Sequence, residues 1–121
     1  MSSTTLYERL GGVERISRLA RDVIDLHYNN PLLKTRFEHV KDRDKLQKNT
    51  IDFICAGTGG PQSYTGKDVL SAHRHMNIDE QELIAAIDDV MAAMTKNGYE
   101  QAEKNDILAI LYSLKGDVVR V

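Results

Sequence analysis

The placement of glycine and proline constrains this chain more than any other feature. Gly11-Gly12, Asn29-Asn30-Pro31, Gly57-Thr58-Gly59-Gly60-Pro61, Gly66 and Gly98 cut it into short segments. Glycine relaxes the backbone at such points, and proline removes a donor and cannot continue a helix. No segment between them shows sustained period-two alternation. Instead apolar residues recur at three- and four-residue steps, so the chain reads as all-α.

Individual helices are legible. Thr5-x-x-Glu8 has the form of a capping box opening a short N-terminal turn. Val13, Ile16, Leu19, Ala20, Val23, Ile24 and His27 form one face of a helix ending near Asn29. Leu46, Thr50, Phe53, Ile54 and Gly57 repeat the pattern after Asp42-Arg43-Asp44. Thr65-x-x-Asp68 predicts a cap for a short helix carrying Val69, Leu70, His73 and Met76. Asp79, with Glu82 three residues on, predicts a cap for the next, whose core face is Leu83, Ile84, Ile87, Val90, Met91 and Met94 and whose terminator is Gly98. A last helix carries Ile107, Leu108, Ile110, Leu111 and Leu114.

The 121 residues, with no long linker and no internal repeat, predict a single domain over 1–121. Hydrophobic residues at 41% and charged residues at 28% exclude disorder. The net charge of −2 lacks the basic footprint of a nucleic-acid binder. No apolar run is long enough for a membrane span. Met1-Ser2-Ser3-Thr4-Thr5 has neither the positive nor the apolar region of a secretory leader, so the cytoplasm is the expected location. Cys55 is the only cysteine, which excludes an internal disulfide and reads as a small core residue.

Hydrolytic and nucleotide chemistry find little support. There is no P-loop, and Gly57-x-Gly-Gly-Pro follows a helix and reads as a stop and turn. No His-x-x-x-His or Cys-x-x-Cys spacing presents two metal ligands on one helical face. His73 and His75, two residues apart, would point about 200° apart on a helix and so could not chelate one ion. His73 falls on an apolar stripe with Val69, Leu70 and Met76, and His75 on the polar side with Ser71, Arg74 and Asp79. Such a histidine is either a core residue satisfied by a carbonyl or an axial haem ligand whose second ring N–H a carbonyl orients. Spacing leaves both open.

The order of several landmarks is more specific. Leu6-Tyr7-Glu8-Arg9-Leu10-Gly11-Gly12 opens the chain, and Asn30-Pro31-Leu32-Leu33 leads to Phe37. Gly59-Gly60-Pro61-Gln62-Ser63-Tyr64-Thr65-Gly66 follows a helix carrying Phe53, and Ala72-His73-Arg74-His75-Met76 follows in turn. In this order and separation they resemble the group I truncated haemoglobins along essentially the whole chain.

That resemblance implies a two-over-two helical sandwich enclosing haem b, with His73 as the proximal iron ligand. It implies that Phe37 packs on the haem face and that Phe53 is a pocket aromatic of the distal helix; plain core packing is the alternative for both. Tyr64 matches an aromatic of the loop before the proximal helix, Met76 joins the expected haem contacts, and Lys48, Arg74 and Lys67 are candidates to meet the haem propionates. Many relatives carry a second phenylalanine just before Phe37, where this chain has Arg36. On the distal side many have a tyrosine seven residues before the Asn-Pro turn. Here that position is Ile24, with Tyr28 one turn on. Counting back from Phe53, Leu46 and Thr50 should face the iron and Asn49 the rim, with Gln47 the nearest donor if the count is off by one.

The distal pocket is therefore expected to be mainly apolar, with Thr50 as its one hydroxyl. A lost hydrogen bond to bound dioxygen, on the order of 1 kcal/mol and more when the acceptor carries charge, weakens binding roughly tenfold. No strong internal sixth ligand is expected; His39, His27 and Lys48 are the groups that could overturn this. The expected function is reversible binding of dioxygen, carbon monoxide or nitric oxide. The alternative is a nitric oxide dioxygenase served by an external reductase, since this chain has no flavin or nicotinamide domain. A sensor without an output domain and a haem-free helical module are further alternatives.

Overall fold

The structure, a computed structural model, describes residues 4–121. Met1, Ser2 and Ser3, on which part of the leader reading rests, lie outside them. Among the described residues seven α-helices follow one another: α1 (Leu6–Arg9), α2 (Gly12–Asn29), α3 (Lys34–Phe37), α4 (Arg43–Gly57), α5 (Val69–His73), α6 (Glu80–Lys96) and α7 (Gln101–Ser113), then a short 3-10 turn (Lys115–Asp117). Among the described residues the only β pairing is an isolated bridge between Ile78 and Val119.

The breakers end helices by identifiable contacts. The Thr5 hydroxyl accepts from the Glu8 amide and starts α1. Gly11 then turns the chain at φ +95°, where a Cβ would lie 2.2 Å from the Arg15 side chain. Asn30 ends α2: its side-chain oxygen accepts from the Leu32 amide across Pro31, an Asx-type turn. Asp42 caps α4 through the Lys45 amide. Asp79 and Glu82 form a reciprocal capping box at the head of α6. Gly60 allows the loop after α4 to press on α1, since a Cβ there would meet the Tyr7 ring at 2.6 Å.

Helix α2 packs on both α4 and α6, and α6 packs on α7. Leu10, Ile16, Leu19, Cys55, Ala93 and Met94 form the centre of the main core, each at most 1% exposed. Burial raises the Cys55 thiol above its ordinary pKa, which suits an inert core residue. Ile84, expected on the core face of α6, is instead 55% exposed. The buried side is carried by Leu83, Ala85, Ile87, Ala93 and Met94.

Tyr99 anchors the end of α6 to the start of the chain. Its hydroxyl donates to the Leu10 carbonyl, and the Arg15 guanidinium sits 4.4 Å from its ring centroid. Burial holds the phenol above its ordinary pKa. Tyr99→Phe leaves that carbonyl without this donor and should lower unfolding stability by about 1–2 kcal/mol. Urea denaturation checks this: the midpoint should fall at constant slope, and an unchanged midpoint would show the bond to be neutral.

Candidate cofactor cavity

A cavity of about 1060 Å³ opens between the α2–α3–α4 side and the α5–α6–α7 side. Its size and largely apolar lining suit a bulky organic ligand. From α2 come Leu19, Val23 and His27, and from the following corner Leu33, Arg36 and Phe37. Helix α4 supplies Lys45, Leu46, Asn49, Thr50, Phe53 and Ile54; Tyr64, Thr65, Lys67, Val69, His73 and Met76 face them. Residues of α6 and α7, among them Ile87, Ile107 and Leu111, close the inner end.

His73 is the last residue of α5 and part of the cavity wall. Its Nδ1 lies 2.8 Å from the Val69 carbonyl. A carbonyl only accepts, so Nδ1 carries a proton and donates, which in the neutral imidazole leaves the lone pair on Nε2. Asp68 starts this one-turn helix by accepting from the Ser71 amide, and the hydrogen bonds from Ser71 hold its carboxyl below the usual range. The cap is thus Asp68 and not the expected Thr65.

The helix also stops earlier than expected. His75 and Asn77 take left-handed φ values of +70° and +50°, so the helical-wheel angle between His73 and His75 does not apply. The C-terminal segment supplies the competing backbone partners: the His75 amide donates to the Val121 carbonyl and the Arg120 amide to that of Ile78. Met76 reaches the cavity through this turn, its amide donating to the His73 carbonyl.

The two phenylalanines stand in different settings. Phe37 stacks on His27 at 5.7 Å between centroids and lies tilted against Tyr28 at 5.2 Å. Phe53 lies tilted against Tyr64, also at 5.2 Å. Thr50 lines the cavity, but its hydroxyl donates to the Leu46 carbonyl at 2.8 Å. Its proton is therefore committed to the backbone, as is common for a mid-helix threonine.

Four expected positions depart from the cavity, and so does His39, named above only as a group that could supply a sixth ligand. Ile24 is buried at 3% exposure but does not line it. The cavity face of α2 is Leu19, Val23 and His27, four residues apart, and Ile24 stands about 100° round the helix from Val23. Tyr28 is not a lining residue either; the Arg43 guanidinium covers its ring at 4.3 Å, and its buried hydroxyl has no hydrogen-bond partner. Lys48 lies on the outer face of α4, bound to Asp52 at 2.7 Å. Arg74 is exposed and off the cavity, and so is His39.

The mouth cations are Lys45 and Lys67. Lys45 was not anticipated, although it stands four residues before Asn49 and so on the same helical face. His27, the last residue of the periodic face of α2, is a further polar wall residue, as are Arg36 and Glu82, which periodicity does not single out. His27 Nδ1 meets Asp89 at 2.8 Å, and the Asn30 amide donates to the same carboxylate. Arg36 donates to both Glu82 oxygens, at 2.6 and 2.8 Å, and to the Met76 carbonyl at 2.7 Å. Arg36's hydrogen bonds hold the Glu82 carboxyl below its usual pKa, and Glu82 in turn raises Arg36.

No helix among the described residues is long and apolar enough to cross a membrane. The bacterial-like globin family model matches residues 5–120. The group 1 truncated hemoglobin of Tetrahymena pyriformis is 28% identical over 118 residues, covering 95% of this chain and 94% of its own length. The crystal structure of truncated hemoglobin from that organism, in its Fe(III) form, superposes with a TM-score of 0.92 at 25% identity, covering 98% of this chain and 100% of that one. The 2/2 hemoglobin of Synechococcus sp. PCC 7002 shares the fold, with a TM-score of 0.87 at 18% identity over 96% and 98% of the two chains. With seven helices among the described residues, a cavity between the α2–α4 and α6–α7 pairs, and a family match over nearly its whole length, the chain belongs to the bacterial-like globin family and has the truncated, two-over-two fold of these structures.

Proposed function

We propose that this globin would hold haem b in the cavity, with the His73 imidazole as the side chain that ligates the iron, and reversibly bind dioxygen, carbon monoxide or nitric oxide. The observation that carries this reading is the setting of His73: a cavity-wall imidazole with Nδ1–H tied to the Val69 carbonyl, which directs the tautomer so that Nε2 is the atom available to a metal. A metal-ligating histidine needs that second-shell arrangement. The cavity suits the group in other ways. Apolar side chains of α2, α4, α6 and α7 would exclude water from a flat hydrophobic ring, and Phe37 and Phe53 offer aromatic faces. Lys45 and Lys67 stand at the mouth, where two carboxylates would need cations.

Haem, when bound, supplies an iron centre that takes diatomic gases reversibly. The chain's residues orient and shield it. Leu46, Val23 and Phe37 would form a dry distal wall, and Asn49 would stand toward the rim with free amide donors. With the Thr50 proton engaged by Leu46, this wall offers a bound gas few donors, which favours binding and release over the dioxygenase chemistry that needs dioxygen firmly held.

The test is an absorption spectrum of the purified protein, ferric and then dithionite-reduced, with and without carbon monoxide. A Soret band that shifts with carbon monoxide is the expected result. No Soret band after added hemin would overturn the reading.

A further inference from the structure

The residue before Phe37 is the point at which this chain departs most clearly from the phenylalanine pair of many truncated haemoglobins. Arg36 does more than cover the corner. Its Nε and Nη2 form a two-point fork on the Glu82 carboxylate, and Nη1 donates to the Met76 carbonyl. All three residues line the cavity. Glu82 is 14% exposed and also accepts, at 3.3 Å, from the Asp79 amide in the α6 capping box. The guanidinium therefore joins three separate segments: the α3 corner, the turn three residues beyond His73, and the head of α6.

These segments belong to opposite walls. Phe37 adjoins Arg36 on one side, and the Met76 amide donates to the His73 carbonyl on the other. The Arg74–Ile78 turn holds two left-handed residues and is otherwise held by the C-terminal segment, through His75 and Ile78 backbone bonds and the Arg120 bond to Asn77, so Arg36 is its tie to the α3 side. A planar, permanently charged fork suits such a tie, since it constrains direction as well as distance.

We propose that Arg36 is a positioning residue for the cofactor slot: by binding Glu82 and the Met76 carbonyl together, it ties the wall that carries Phe37 to the wall that carries His73. The proposal rests on the haem reading for its role and on the chain alone for its geometry, and the test keeps the two apart. Arg36→Met keeps the aliphatic stem and removes all three donations. Arg36→Lys keeps the charge but cannot fork. Glu82→Gln keeps a capping-box acceptor and loses the charge. Arg9→Met is the control: Arg9 is also ion-paired, to Asp106 and Glu103 on α7, and is not a lining residue.

Hemin loss to excess apomyoglobin should rise about tenfold in Arg36→Met, and at least threefold in Arg36→Lys and Glu82→Gln. It should stay within twofold in Arg9→Met. The ferrous iron–histidine stretching frequency should shift in Arg36→Met and not in Arg9→Met. In the haem-free proteins, amide hydrogen exchange at residues 75–78 should quicken in the Arg36 and Glu82 variants only. Hemin loss, stretching frequency and exchange that match the Arg9→Met control would overturn the proposal. If Arg36→Met fails to fold, Arg36→Lys and Glu82→Gln decide it by the same measures. If the wild-type chain takes up no hemin, the haem reading falls and the exchange comparison alone decides the tie.

Discussion

Replacing His73 by glycine is expected to weaken hemin binding by at least about a hundredfold and to remove the wild-type Soret signature. Losing an outer-shell partner of a metal ligand already costs about 10- to 100-fold, and here the ligand itself goes. Nothing nearby is arranged to replace it. His27 is held by Asp89 and stacked on Phe37. His39 and His75 are exposed and do not line the cavity, and Lys48 is bound to Asp52 on the outer face of α4. Millimolar free imidazole should fill the vacated volume and restore a histidine-like spectrum, which separates a missing ligand from a misfolded chain. His75→Asn is the matched control, because asparagine tolerates the +70° φ at that position. It should bind hemin within twofold of wild type. A glycine variant with unchanged affinity and spectrum would show that His73 is a core histidine satisfied by its carbonyl, the other reading its position on the apolar stripe allowed.

Much of this architecture was legible because the relevant signals are local. Breakers, caps and three-to-four periodicity are set within one helical turn, so α2, α4 and α6 begin and end close to where Gly11, Asn30, Asp42, Asp79 and Gly98 imply. The same holds for the cavity residues of α4. Leu46, Asn49, Thr50 and Phe53 share a face by spacing alone, and all line the cavity. Failure came where a distant segment decides the outcome. The turn after His73 is shaped by residues 118–121, some 40 positions away, and no local pattern foretells that. Helix α2 shows a subtler limit. Its apolar stripe is wide enough to include both Val23 and Ile24, and only packing against α4 and α6 selects Leu19, Val23 and His27 for the cavity. Charge was read least well. Lys48, Lys45 and Arg74 are alike in sequence, and their partners and outward directions emerge only in three dimensions. Arg36 was visible as a departure, but its bonds to Glu82 and Met76 cross 46 and 40 residues.

Leu46→Gln should slow dioxygen release from the ferrous protein about tenfold and leave carbon monoxide release within about threefold. Leu46 lines the cavity one turn before Thr50 and is only half-buried, so an amide there is sterically modest and partly solvated when free. Glutamine brings two N–H donors to a wall that otherwise presents apolar groups and a committed hydroxyl. A hydrogen bond to a polarised acceptor is worth about 1.5 kcal/mol net, close to a factor of ten in a rate governed by dissociation. Bound carbon monoxide carries less charge and gains less, so the ratio of the two rates is the diagnostic. Leu46→Met, of similar volume and without a donor, should change neither rate by more than about twofold. Thr50→Val sharpens the argument. Sequence alone made Thr50 the pocket's one hydroxyl donor, whereas the structure gives its proton to the Leu46 carbonyl. Valine should therefore leave dioxygen release within about twofold. Stopped-flow displacement of dioxygen by carbon monoxide measures all three variants. A tenfold acceleration in Thr50→Val would mean that the hydroxyl turns from the backbone to the bound gas. An unchanged rate in Leu46→Gln would mean that the α4 wall does not face the ligand side of the iron at all, and the distal side would then have to be sought along Val23 and Phe37.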